Sequence, residues 1–323
     1  MMNMKSIPKY ILKIFRKLYI VINSNSVHTG RNWFMFSNKD YANDLIYQYL
    51  MKDNPCMIAR FGSTEMLSLT NYIGVKQGNK KWIEYIKGKS LIWWWEPSTI
   101  KQLQNWSGFF PGQIDKVEEF CKLMLKDIPE VDILGSWLKE EITVANGLTH
   151  AKRVVLEDLE PFFSTNPWTR ALEGKKILVV HPFAETIEEQ YAKRHLLFDN
   201  NLLPQFELQT IKAVQSVAGE KTAFKDWFEA LDYMKAQIDI LDYDICIIGC
   251  GAYGFPLAAH VKRMGKKSIH LAGATQLLFG IKGKRWEEFI VWPYANLFNE
   301  HWVRPGIKEK PKNANIVEDA CYW

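Results

Sequence analysis

The chain lacks most of the signatures that assign an enzyme at sight. It has no G-x-x-x-x-G-K-[ST] phosphate loop, no G-x-S-x-G nucleophile turn and no Cys/His spacing of the zinc type. P-loop kinases, α/β-hydrolases and zinc hydrolases are left without support. Its five cysteines, Cys56, Cys121, Cys246, Cys250 and Cys321, are an odd set with no C-x-x-C pair. Cys246 and Cys250 share one expected strand, roughly 13 Å apart at about 3.3 Å per residue, too far for a disulfide with its ~4.4–6.8 Å Cα spacing. Buried free thiols in a reducing, cytoplasmic setting are expected. No uncharged stretch approaches the ~18 residues of a membrane span, and no apolar run leads into a secretory cleavage site. No internal repeat or low-complexity tract stands out.

Acidic residues are missing from positions 1–39, which hold Lys5, Lys9, Lys13, Arg16, Lys17, Arg31 and Lys39; the net charge of +5 therefore leaves residues 40–323 at −2. Nucleic-acid binding calls for a basic body with interleaved aromatics, and this body is nearly neutral, so no nucleic-acid partner is expected. Within residues 5–22 the apolar positions Ile7, Tyr10, Ile11, Ile14, Phe15, Leu18 and Ile22 recur at helical spacing between the basic ones. That pattern fits a basic amphipathic helix, either at the inner face of a cell membrane as a peripheral contact or packed on the body or another subunit.

What is present in quantity is ordinary globular material: 47% hydrophobic, 24% charged and 14% aromatic residues, with 13 tryptophans that mostly suit a core. Apolar runs at 56–61, 131–137, 176–183 and 244–249 read as buried strands, with amphipathic helical patterns between them. The alternation predicts an α/β, Rossmann-like fold with a mainly parallel sheet flanked by helices. Residues 1–39 form an N-terminal segment and 40–323 a single domain, with the turn-rich "STNPWTRALEGKK" (164–176) as the place for an internal boundary. The tail beyond Gly306 is polar and ends in aromatics, so it is expected to fold back onto the body.

The stretch "IGCGAYGFPLAAHVKRMGKKSIHLAG" (248–273) carries Gly249, Gly251 and Gly254 in G-x-G-x-x-G spacing, with Tyr253 inside the turn. An apolar strand, a glycine turn and a helix form a ready anion site, because free N–H groups and the helix dipole face the ligand. A dinucleotide site would place an acid about 20 residues on to hold the ribose. The next strand, "SIHLAG", has none, so NAD is not expected. Gly273, Thr275 and Gln276 form a second small-residue turn after that strand. The alternative for the glycines is plain strand–helix packing.

"IARFGSTEM" (58–66) places Arg60 and Glu65 around Gly62 at the carboxyl edge of the sheet. Arg60 suits a diphosphate and Glu65 a divalent cation; Ser63 as helix cap with Glu65 in the first turn is the alternative. "RFGSTE" resembles the "RFGDGE" signature of the GT-D-type bacterial glycosyltransferases, and "DICIIGCGAYGFPLAAHVKRMGKKSIHLAGATQLLFGIKGKRW" is similar to the matching segment of related chains from surface-polysaccharide clusters. The likeness covers about residues 40–300. It implies a Rossmann-like domain, a nucleoside-diphosphate sugar as donor, a glycan or lipid-linked acceptor, and Mn²⁺ or Mg²⁺ at the motif's carboxylates. Arg60, Gly62 and Glu65 match; Ser63 stands where the family has Asp, which weakens the metal site.

His181 at the end of "KILVVHPF" and Glu185 at the start of the next helix are candidates for the base that activates an acceptor hydroxyl, with Asp132 and Glu157 behind them. Trp302 and Arg304 in "NEHWVRPG" offer a stacking ring and a phosphate clamp, or packing alone. Two other functions stay open: a Rossmann enzyme using NAD or S-adenosylmethionine, and a nucleotide-sugar-binding protein without activity.

Overall fold

The computed structural model describes residues 8–23, 36–78, 80–288 and 293–323. Lys5, Ile7 and Arg31 of the N-terminal segment lie outside them. Seven strands, β1 (Cys56–Arg60), β2 (Ile133–Ser136), β3 (Lys152–Val155), β4 (Lys176–His181), β5 (Glu207–Lys212), β6 (Ile245–Ile248) and β7 (Lys267–His270), form one sheet in the order β3-β2-β1-β7-β6-β4-β5. Every pairing is parallel. A parallel sheet must be covered on both faces, which is why the interiors of β1, β4 and β6 read as apolar runs rather than alternating ones.

The period of two along β1 sorts its side chains between the two layers. Met57 and Ala59 face a core built with α3 (Ser63–Gln77), α5 (Pro97–Ser107), α6 (Ile114–Asp127), α8 (Trp227–Asp239) and α9 (Gly254–Arg263). Cys56 and Ile58 face a second core made with α2 (Lys39–Met51), α7 (Ala184–Tyr191) and the chain beyond residue 270. Local signals set the ends of several helices: Asn38 accepts from the Tyr41 N–H ahead of α2, and Asp226 from the Glu229 N–H ahead of α8. Helix α8 therefore starts at Trp227.

Strands before and after residues 164–176 belong to the same sheet, and Trp168 within that segment is fully buried. Helix α1 (Lys9–Ile22) packs at the periphery on α4 (Trp82–Ile86), with Leu12 among Tyr85 and Trp94. Among the described residues no helix is long and apolar enough to cross a membrane. All five cysteines are free and buried; burial pushes the Cys56 thiol up to about 12.

The connections fix where a ligand would sit. From β4 the chain runs through α7 outward to β5, while from β6 it runs through α9 inward to β7. The two helices leave on opposite faces, so a crevice opens between the carboxyl ends of β4 and β6, the switch point where ligands of open α/β sheets bind.

Candidate functional site

A cavity of about 560 Å³ lies at that edge, within the usual range of small-molecule sites. Residues at or just past the end of every strand line it: Arg60, Trp137, Glu157, His181, Val214, Gly249 and His270 in strand order of the chain. Trp106 and Ser107 at the end of α5 contribute another wall, and Arg285, Trp286, Tyr294, Tyr322 and Trp323 close it from the C-terminal region. The aromatic tail thus folds over the sheet edge.

Arg60 ends β1 and turns its guanidinium into this cavity, 4.9 Å from the centroid of the Trp137 ring. Trp137 is itself fixed by a 3.0 Å bond from its indole N–H to the Phe61 carbonyl. Arg60 Nε is buried with no hydrogen-bond partner. Burial pulls the arginine's pKa down, Glu65 pulls it back up, and the Arg285 charge pushes it down again. Two arginines close enough to repel one another therefore share the cavity. Arg285 is positioned by a 3.0 Å bond to the Tyr322 hydroxyl and stands 4.7 Å over that ring.

Glu65, on the first turn of α3, is buried and accepts from the Thr64 hydroxyl at 2.9 Å. Gly62, not Ser63, is the N-cap residue, in extended conformation and without a side-chain cap; Ser63 is the first helical residue and lines the cavity. A methyl group on Gly62 would land on the Glu65 carboxylate, so the glycine is what lets that carboxylate fold back toward the sheet. No group of three His, Cys, Asp or Glu side chains suited to a metal occurs among the described residues. With Ser63 in the place of the second carboxylate, the donor set at Glu65 does not fit the cation that the RFGDGE resemblance implies.

The histidines show two tautomers. His181 Nδ1 accepts from the Phe183 N–H at 3.0 Å, so its proton sits on Nε2. His270 Nδ1 donates to the Ile248 carbonyl at 3.2 Å, so its Nε2 carries a lone pair. Burial pulls both down to about 3, with the Arg60 charge adding to the effect at His270. At neutral pH His181 is an N–H donor, which corrects its expected role as base.

Glu160 was not singled out in the sequence. It follows β3, and burial raises its carboxyl to about 8, against a hydrogen bond from Tyr294 that lowers it, repulsion from Glu157 that raises it and Arg60 that lowers it. Its Oε2 is buried and unpartnered. The wall thus holds a neutral carboxyl and an orphan guanidinium nitrogen, a donor-rich pair suited to one anionic, hydroxyl-bearing ligand. Glu160 comes five residues past the end of β3, after a short turn at Leu156–Leu159, so no strand end in the sequence pointed to it.

The glycine turn is in place, with Gly249, Gly251 and Tyr253 lining the cavity. The need for glycine there is met by protein atoms. A methyl on Gly254 would enter the His270 ring, one on Gly251 would meet the Ser107 carbonyl at 2.8 Å, and one on Gly249 the Ala272 carbonyl at 2.5 Å. Tyr253 stacks on Trp227 at 4.9 Å and bonds Ser216 at 3.1 Å. Gly273 admits the Tyr322 ring, and Gln276 bonds the Tyr322 carbonyl at 3.1 Å, so that turn anchors the tail. Gly254 and Thr275 stand behind the wall, Thr275 bonded to the Ile248 carbonyl at 3.3 Å.

Several expected site residues lie elsewhere. Glu185 is 57% exposed and pairs with Lys212 at 2.7 Å, outside the cavity; the α7 N-terminus is occupied by the buried Glu309 carboxylate, which takes the Glu185 N–H at 3.0 Å. Arg304 is on the surface, held by Glu287 at 2.6 Å and the Trp323 carbonyl at 3.0 Å. Trp302 is core, donating to the Leu197 carbonyl at 2.9 Å. Asp132 sits at the opposite, amino edge of the sheet, binding the Met57 N–H at 2.8 Å and Lys262 at 2.7 Å. No protein-family model, curated protein or solved structure matches this chain.

Proposed function

We propose that this protein is a glycosyltransferase that moves a sugar from a nucleoside-diphosphate donor to an acceptor hydroxyl. The observation that carries the reading is Arg60 in a cavity at the carboxyl edge of the sheet, with its Nε buried and without a hydrogen-bond partner. A buried donor on a charged group left unpaired is costly, and a ligand anion removes that cost. The same residue belongs to the "RFGSTE" motif that resembles the GT-D signature.

In this reading Arg60 and Arg285 take the diphosphate, where negative charge develops as the bond from the sugar's anomeric carbon to the phosphate oxygen breaks. Trp137 and Tyr322 fix the two guanidinium groups. Neutral Glu160 and the His181 Nε2–H donate to the donor's oxygens, and the Glu65 carboxylate accepts the proton of the incoming acceptor hydroxyl. Glu65 also lies near enough to Arg60 to couple with it electrostatically.

Thermal stabilisation by UDP, GDP, CDP, CMP, dTDP, NAD and S-adenosylmethionine, with and without Mn²⁺, tests the reading on wild type and Arg60→Met. One nucleoside diphosphate stabilising the wild type, with the effect lost in the variant, supports it and names the base. A response to NAD or S-adenosylmethionine alone, or to nothing, overturns it. Binding of the diphosphate with no turnover of the matching sugar donor leaves a binding protein instead.

A further inference from the structure

Helix α1 is mounted the wrong way round for a helix that serves only its own core. Its body-side residues are Leu12, buried among Tyr85 and Trp94, and Arg16, whose guanidinium reaches the Tyr85 carbonyl at 3.2 Å and lies 4.7 Å over that ring. Lys13 adds an ion pair to Glu96 at 2.6 Å. The apolar stripe points to solvent: Tyr10 is 65% exposed, Ile14 55% and Val21 66%, and Leu18, Phe15 and Ile22 are exposed beside them. At 3.6 residues per turn these six fall in one sector of less than half the helix.

The surroundings are basic. Lys9, Lys13, Arg16 and Lys17 lie on α1 with no acid, and Lys80, Lys81, Lys87 and Lys89 are exposed on either side of α4, against which α1 packs. The acids nearby in sequence are Glu84 and Glu96, the latter already engaged. Ile83 on α4 is exposed as well.

We infer that α1, with the lysines flanking α4, is the surface by which this protein lies on an anionic lipid bilayer, the apolar stripe entering the acyl boundary and the lysines meeting the headgroups. An apolar stripe bordered by cations, on a helix too short to span, matches that partner. A cytosolic protein partner would have to supply both a matching apolar strip and a ring of acids; a bilayer with anionic lipid supplies both everywhere.

The attachment also orients the cavity. Next to α1, Lys9, Trp93, Trp95 and Lys101 border a groove that runs along α5 as far as Asn105, and the last residues of the same helix, Trp106 and Ser107, line the main cavity. The helix has 11 residues, about 16 Å at 1.5 Å per residue. A membrane-borne acceptor is therefore within a short helix of the site. The lipid contact itself does not depend on the cavity's function.

Sedimentation of the full chain with phosphatidylcholine vesicles, and with vesicles containing phosphatidylglycerol, at low and high salt tests the inference. Binding to the anionic vesicles that weakens in salt is expected, with at least a tenfold loss in the double variant Ile14→Glu, Leu18→Glu. Lys17→Glu, Lys87→Glu and Lys89→Glu should each cost roughly fivefold or more, given about 1 kcal/mol per basic residue at such a surface. These side chains are exposed, so the variants should keep the wild-type melting temperature. No binding at low salt, or unchanged binding by the double variant, overturns the inference. So does self-association abolished by the same double variant without vesicle binding, which would make a second copy the occupant. Arg60→Met should bind vesicles as wild type does, so failure of the nucleotide reading and failure of this one are told apart.

Discussion

Arg60 lies 4.9 Å over the Trp137 ring and gives its Nε no hydrogen bond. The ring and the nearby Glu65 charge stabilise the cation without a hydrogen bond from Nε, and an indole face is worth about 0.5–2 kcal/mol to a cation, less than the cost of burying one. Exchanging the arginine for an apolar side chain of similar length should therefore stabilise the fold while removing the anion site. Arg60→Met is expected to raise the melting temperature, by up to ~1–4 kcal/mol of stability, and to abolish stabilisation by any nucleoside diphosphate. A variant less stable than wild type would mean that Arg60 serves the fold.

Glu160 gives the site a pH dependence of known sign. Its carboxyl is raised from the ordinary 4.5 to about 8, so the folded chain holds a proton that the unfolded chain releases. The stability from this group is complete below about pH 4.5, erodes as pH rises, and is gone above about pH 8. Glu160→Gln keeps the neutral form and should remove that erosion. Melting temperature against pH should show the variant gaining on wild type from pH 5 to 8. Diphosphate affinity of wild type should fall past pH 8, where ionised Glu160 competes for Arg60, and that of the variant should not. Parallel curves would place the Glu160 titration elsewhere.

The sheet was legible where its strands are buried on both faces. "CMIAR", "KILVVH" and "ICII" are apolar except at their ends because helices cover both sides of these strands. The edge strands β3, "KRVV", and β5, "ELQTIK", carry charged and polar residues, and neither was assigned. Glu160 was hidden because it comes five residues past the end of β3, after a short turn. Arg285 was hidden in another way: "KGKRWEE" looks like a solvated charge run, and only the fold of the tail brings Tyr322 over it. Glu185 and Arg304 were placed correctly along the chain but their side chains found surface partners, which spacing cannot show. The glycine spacing was visible, while its cause, the contacts with Ser107, His270 and Ala272, is tertiary.

Those contacts separate two glycines of similar backbone. Gly251 has φ +56° and a methyl there would meet the Ser107 carbonyl at 2.8 Å; Gly265, past the end of α9, has φ +79° and open space around it. Gly265→Ala should cost only the left-handed backbone term, about 1–2 kcal/mol. Gly251→Ala adds a clash with α5 worth about 1–3 kcal/mol more, and should also displace Trp106 and Ser107 from the cavity wall. Denaturant unfolding of both variants checks the difference. Equal losses would show that α5 yields freely at Ser107.

The acid limb of stability should report the two buried histidines. Both are held neutral, lowered from 6.5 to about 3 by burial, so each contributes stability above about pH 6.5 that is lost as pH falls toward 3. Each is worth about 1.4 kcal/mol per pH unit over that range. Between pH 6.5 and 4.5 Glu160 acts in the opposite sense, and so does Asp127, raised to about 6 by burial, below about pH 6, so the histidines' slope is largely offset there and the decline steepens below about pH 4. Glu160→Gln should steepen the decline below pH 6.5 by about one histidine's share. His181→Asn, whose Oδ1 can take the Phe183 N–H, and His270→Asn, whose Nδ2 can donate to the Ile248 carbonyl, should each remove one histidine's share. Unfolding free energy measured from pH 7 to 4 in the three variants decides it: slopes identical to wild type would show that these rings are protonated, or exposed, well before the fold is lost.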